Sequence, residues 1–311
     1  MVNSNLTSLS LDLGHICFAI VLMPFVPALE HFEVRLHDVY NGRSAFKPEF
    51  LQKRKWPTKV KSLRFIAYDQ YMNTASFCAF VQRFSLSLEH LSFYMSTHER
   101  YLMSTHCNFE HYLLDYLPHL KQIDFCVSSG VMNVEIDRRE KFDHWTKRQV
   151  ISIFHYRKFH TRFTLPFTFD RLEHISNEFV DYHCNFYQSN DALSLPSVVR
   201  ITFHSYRKLN RRLFTFLQRT CSFLRYLCFQ EFCNLGDDLI GDTESTLPTV
   251  SELCFYNNRD SIDLPILHRI FSLLPNLVHV TAQQRNITTI DIINNNINVL
   301  GRIIKVTIAE R

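Results

Sequence analysis

The chain has 311 residues, 46% of them apolar, with six glycines, twenty-eight phenylalanines and a formal charge of +4. So large an apolar fraction excludes global disorder, and so mild a positive balance argues against a dedicated nucleic-acid binder. Nine scattered cysteines, an odd number without a Cys-x-x-Cys pair, argue against a secreted disulfide scaffold and read as reduced thiols filling apolar space in a cytoplasmic or nuclear protein.

In chain order, the first strand-like phrase is Leu6-x-x-Leu9-x-Leu11. The apolar stretch from Ile16 to Val26 follows. It is too short to span a bilayer, Pro24 and Pro27 interrupt it, and no basic region precedes it. A buried helix is expected there, with no membrane partner.

From Val26 onward one phrase recurs, apolar-Pro-x-apolar-x-x-apolar-x-apolar. It stands at Val26-Pro27-x-Leu29, Leu117-Pro118-x-Leu120, Leu195-Pro196-x-Val198, Leu247-Pro248-x-Val250 and Leu274-Pro275-x-Leu277. Units without the proline keep the rest, as in Val60-x-x-Leu63-x-Phe65, Leu88-x-x-Leu91-x-Phe93 and Leu224-x-x-Leu227-x-Phe229. Alternation at the end of each phrase predicts a short strand with one face buried. Upstream lie stripes at helical spacing: Phe77, Phe80, Val81 and Phe84; Tyr112, Leu113 and Tyr116; Leu213, Phe216 and Leu217; Leu264, Leu267, Ile270, Phe271 and Leu274. Pro265 is placed for a helix start and Pro275 for a stop. The unit is therefore helix, stop, strand, about 26 residues long. Phenylalanine at the third apolar position (65, 93, 125, 203, 229, 255) predicts one aromatic column through the interior.

These phrases resemble leucine-rich repeats, L-x-x-L-x-L-x-x-N/C-x-L. The resemblance implies an α/β solenoid, a curved parallel sheet with helices on the convex side, over a single domain 1–311. The Asn/Cys position departs from the pattern (His37, Tyr68, Ser96, Ser128, Tyr206, Phe232, Arg285; only Asn258 agrees), which predicts irregular turns after the strands. The LPxL phrases are most similar to divergent F-box/leucine-rich-repeat proteins. In that family an F-box bundle docks on a cullin-type ubiquitin-ligase adaptor and the repeats hold the substrate. No F-box is found here, so the adaptor is an expected partner only if an F-box lies upstream.

Residues 137–166 break the rhythm as a basic insertion or irregular repeat. Between 137 and 163 eight Lys/Arg face three acids. Val150–Phe154 and Thr161–Leu165 read as strands of an inserted hairpin, with 164–167 as a turn. Arg138, Arg139, Lys147, Arg148, Arg157, Lys158 and Arg162, laced with Trp145, Tyr156, Phe159 and Phe163, are the alternative binding patch. Such a patch would suit RNA, because cations neutralise phosphate and rings stack on bases. A solvated insertion packing its rings on neighbouring units is the preferred reading, so nucleic acid is not the expected partner.

The remaining motifs carry no chemistry. Gly236 and Gly241 have P-loop spacing, but Asp242 stands where lysine is required, so an acidic surface loop is expected. None of the sixteen histidines has zinc-ligand spacing, and no nucleophile elbow occurs. No cofactor, metal or enzymatic activity is expected.

The x positions of each strand should line the concave face, where solenoids bind partners. The candidates are His31, Glu33, Arg35, Arg64, His90, Tyr94, Gln122, Asp124, Arg200, His204, Tyr226, Glu252, Tyr256, His279 and Gln283. Their mixed charge and aromatic content suit a protein partner better than a nucleic acid.

Overall fold

A computed structural model of the chain describes residues 5–36, 51, 55–97, 113–130, 149–155, 159–184, 193–204, 207–230, 235–239, 244–256, 264–283 and 305–309. The architecture is mixed α/β, with two sheets of mostly parallel strands and few helices. The strands divide between two compact units, residues 1–165 with 183–187, and residues 166–182 with 188–311. Where the sequence reading expects one continuous sheet, each unit has its own.

The first unit holds an eight-stranded sheet. Strands β1 (Ser8–Leu13), β2 (His31–Leu36), β3 (Ser62–Tyr71), β4 (His90–Thr97) and β5 (Gln122–Gly130) follow one another in parallel. The insertion then adds β6 (Val150–His155) and β7 (Phe159–Thr164) as the expected antiparallel hairpin. It is β7, the later strand, that pairs antiparallel with β5. A short β9 (His183–Cys184) closes the far side against β6.

The second unit is parallel throughout its six described strands. Strand β8 (Arg171–Ile175) lies at one edge, followed by β10 (Arg200–His204), β11 (Tyr226–Gln230), β12 (Glu252–Tyr256), β13 (His279–Gln283) and β14 (Lys305–Ala309). A bulge separates Leu172 from Ile175 opposite β10, and His174 there takes a positive φ of 59°.

Four helices of seven to ten residues are described: α1 (Ile16–Leu22), α2 (Thr74–Val81), α3 (Arg211–Thr220) and α4 (Leu264–Leu273). The starts of α1, α2 and α3 are capped by side chains of the preceding loop. Asn73 accepts the Ser76 N–H at 2.9 Å and Asn210 accepts that of Leu213 at 3.0 Å. The α3 stripe Leu213, Phe214 and Leu217 is buried while Arg211, Arg212 and Arg219 face water, as an amphipathic helix requires. Among the described residues helices are fewer than the one per unit expected. Of the Tyr112, Leu113 and Tyr116 stripe, Leu113 is helical and Tyr116 lies in the turn that follows, and Tyr112 lies outside the described residues.

The recurring proline has a structural cause beyond stopping helices. In all five phrases the apolar residue after Pro-x donates its N–H to the carbonyl before the proline. These bonds are Leu29 to Val26, Leu120 to Leu117, Val198 to Leu195, Val250 to Leu247 and Leu277 to Leu274, at 3.1–3.2 Å. Proline therefore occupies the second position of a tight turn, where its fixed φ suits the chain. The turn aims the chain into the next strand.

The entry to each strand repeats as well. One carbonyl takes two N–H groups from the start of the next strand. Thr7 serves Glu30 and His31, Glu30 serves Lys61 and Ser62, Lys61 serves Glu89 and His90, and Glu89 serves Lys121 and Gln122. In the second unit Asp170, Val199, Arg225 and Ser251 do the same. Neighbouring units are thus locked in one register.

The phenylalanines at the third apolar position form two columns, one per unit. Phe65, Phe93 and Phe125 are register neighbours, with Phe93 and Phe125 stacked at 5.9 Å and Phe77 of α2 touching both Phe65 and Phe93. Phe203, Phe229 and Phe255 repeat the arrangement with centroids 5.1 and 5.9 Å apart. All six are buried. Burial of each ring contributes about 1.5–3 kcal/mol.

The irregular turns expected at Tyr68, Ser96 and Ser128 are not turns. These residues lie inside β3, β4 and β5, which run to ten, eight and nine residues, although the pairing of β3 with β4 shifts register between Ile66 and Tyr71, around Tyr68. His37, Tyr206, Phe232, Asn258 and Arg285, and the Asn-rich stretch 294–298, lie outside the described residues.

Candidate partner-binding face

The x positions of successive strands fall side by side. In the first unit Ser8, His31, Ser62, His90 and Gln122 form one row; Ser10, Glu33, Arg64, Ser92 and Asp124 the next; Asp12, Arg35, Ile66, Tyr94 and Cys126 the third. In the second unit Arg200, Tyr226, Glu252, His279 and Lys305 form the first row, and Thr202, Cys228, Cys254, Thr281 and Thr307 the second. His204, Gln230 and Tyr256 continue in a third, and Gln283 pairs with Ala309.

Burial divides the candidates. His31, His90 and Glu252 are exposed, and Glu33, Arg35, Arg64, Gln122, Arg200, His204, Tyr226, Tyr256 and His279 are half-buried. Tyr94 and Asp124 are buried, at 1% and 5% exposure. Tyr94 packs on Tyr68 at 4.7 Å, and Asp124 accepts from Gln122 Nε2 at 2.7 Å. These two cannot meet a partner directly. The accessible face of the first unit therefore lies near the strand starts, because consecutive residues 65–68, 93–97 and 123–129 of β3, β4 and β5 are buried. Of the basic patch, Arg162 is buried at 3% exposure and donates to His160 Nε2 at 3.2 Å, so it is no surface cation. Arg138, Arg139, Lys147, Arg148, Arg157 and Lys158 lie outside the described residues.

The first row of the second unit is knit across strands. The Arg200 guanidinium lies 4.1 Å above the Tyr226 ring. His279 Nε2 shares a 2.8 Å hydrogen bond with Thr307 Oγ1, and its Nδ1 is 3.9 Å from Glu252. Arg171 precedes this row on β8 and stands 3.6 Å from the fully buried Glu173. Sequence reasoning missed that carboxylate, since β8 carries no repeat phrase. Burial raises the Tyr226 hydroxyl pKa, and the thiol of Cys254 adds to the rise. In the first unit Arg35 Nε donates to Glu33 at 2.6 Å, and Arg64 to Ser92 at 3.3 Å.

A ladder of alternating charge borders the strand starts. Lys61 reaches Glu30 at 2.8 Å and Lys121 reaches Glu89 at 2.6 Å. The hydrogen bond from Lys61, and then its charge, lower the Glu30 pKa. Of the acidic loop expected from Gly236 to Gly241, Gly236 is buried, Asp237 and Asp238 are exposed, and residues 240–243 lie outside the described residues. Asp237 is bridged by Lys208 and Arg269, each at 3.1 Å, and these bonds lower its pKa.

Among the described residues no cluster of three or more His, Cys, Asp or Glu could hold a metal ion, and no helix is long and apolar enough to cross a membrane. No protein-family model, curated protein or solved structure matches the chain.

Proposed function

We propose that the chain is a non-enzymatic repeat protein that holds a protein partner on the exposed side of its parallel strands. In the terms of the family it resembles, that partner is the substrate of a cullin-type ubiquitin ligase. The observation that carries the reading is the first row of the second sheet. There a cation, an aromatic ring, a carboxylate, an imidazole and a second cation stand in register on adjacent strands. Alternating sign with embedded rings suits the mixed surface of a protein, whereas a nucleic-acid groove needs charge of one sign. Further support is that the row is held rigid by its own cross-strand contacts, which lowers the entropy lost on binding.

The test is a capture comparison with the full chain as bait. Arg200→Glu, Glu252→Arg and Tyr256→Ala together leave the buried faces of their strands untouched. Loss of a defined set of captured proteins from the triple variant, with circular dichroism unchanged, supports the reading. Retention of the whole set by that variant contradicts it. Capture of RNA rather than protein, lost on reversal of Arg157 and Lys158, would favour the basic insertion instead.

A further inference from the structure

The second row of the second unit contains two cysteines in equivalent places. Cys228 and Cys254 are direct register partners on β11 and β12, so their side chains leave the sheet on the same side. Parallel strands lie about 4.8 Å apart, within the Cα separation of about 4.4–6.8 Å that a disulfide spans. Cys228 and Tyr226 are near enough to Cys254 to act on its thiol. Both are reduced and mostly buried, Cys254 at 7% exposure and Cys228 at 2%.

Their surroundings differ from those of an inert core thiol. Cys221 shows what happens where burial dominates: its thiol is pushed up to about 11, although a Thr220 hydrogen bond works against the rise. Cys254 moves the other way, to about 7, because Cys228, Tyr226 and the Arg200 charge outweigh desolvation. A thiolate stabilised in this way is the nucleophilic form of cysteine.

We propose that Cys228 and Cys254 form a thiol–disulfide couple whose substrate is a low-molecular-weight disulfide. Cys254, the more exposed, attacks one sulfur of that disulfide. The S–S bond breaks, one small thiolate leaves, and a mixed disulfide remains on Cys254. Cys228 then gives up its proton and attacks the Cys254 sulfur, forming the Cys228–Cys254 bond and releasing the second small thiolate. The two protons from the protein thiols end on the two released thiols. The protein pair is oxidised by two electrons and the small disulfide is reduced by two. The product ties β11 to β12 and removes a thiolate from beside Arg200 and Tyr226. This inference stands apart from the partner reading.

Oxidised glutathione serves as the probe on the full chain. After acid quenching and alkylation, trypsin and a Glu-specific protease, cutting at Arg225, Glu231, Glu244 and Glu252, place Cys221, Cys228, Cys233 and Cys254 on separate peptides. The expected result is a Cys228–Cys254 cross-linked peptide that dithiothreitol reverses. Cys228→Ser should stop at a glutathione adduct on Cys254, forming at least about ten times faster than any adduct on Cys221. Arg200→Gln should slow that adduct about three-fold or more. A cross-link to Cys233 instead, an absent cross-link in folded wild type, or equal labelling of Cys254 and Cys221 would overturn the proposal. Should Cys228→Ser not fold, the wild-type cross-link map decides alone.

Discussion

The backbone N–H of Val198 donates to the carbonyl of Leu195 at 3.1 Å, across Pro196. The same bond closes four other Pro-x turns, so each phrase is at once a turn and a strand entry. Proline restricts the unfolded chain at a φ the native turn needs anyway. Pro196→Ala should therefore cost only about 0.4–1 kcal/mol in denaturant unfolding. Leu195, fully buried on the same turn, should cost about 2–5 kcal/mol as Leu195→Ala. The reverse order of the two costs would mean that the turn carries the energy and the leucine does not.

Phe203 is fully buried between Phe214 at 5.9 Å and Phe229 at 5.1 Å. Phe203→Ala should destabilise the chain by about 3–5 kcal/mol, through lost transfer energy and the cavity left behind. Equilibrium denaturation would read it, and a loss below about 1 kcal/mol is incompatible with the column.

Gly236 offers a backbone test of the acidic loop. A Cβ at this position would collide with the Asp238 carboxylate and lie 3.1 Å from the Leu209 carbonyl, which accepts the Gly236 N–H. Gly236→Ala should cost about 1–3 kcal/mol, with a matching fall in melting temperature. An unchanged melting temperature would place that loop elsewhere.

Cys221 predicts a pH dependence. Its folded pKa, about 11, lies above the ordinary value of 9.0 because the thiol is buried. The native state holds the proton longer than the unfolded chain does. The resulting stability is full below pH 9 and is lost as pH rises towards 11. Relative to Cys221→Ala, the wild type should lose about 2 kcal/mol across that window, order of magnitude. Parallel stability curves for the two proteins would contradict the burial.

Much of this was legible because period-two alternation and turn-forming proline are local signals. The register of Leu63, Leu91 and Ile123, or of Leu227, Leu253 and Val280, follows from the phrase alone. So do the helices at Thr74 and Arg211 and the hairpin of β6 and β7. What no local pattern encodes is which hairpin strand joins β5, since both alternate equally well. The division into two sheets was hidden for the same reason, because β8 interrupts the repeat without any phrase of its own. Tyr94 and Asp124 on the candidate face, and Arg162 in the basic patch, read as exposed because their own strands place them on the polar side. Their burial comes from the long strand ends around them, a tertiary effect. Cys228 and Cys254 occupy visibly equivalent positions, yet composition alone presents cysteine as a small apolar filler.

The central claim is that equivalent residues of successive units touch in chain order. A double-mutant cycle between Phe203 and Phe229, each replaced by leucine, measures it most directly. The account predicts a coupling of about 0.5–1.5 kcal/mol for that pair and near zero for Phe203 with Phe255, one strand further on. Equal coupling in both pairs, or none in either, would contradict the stacked order of the units.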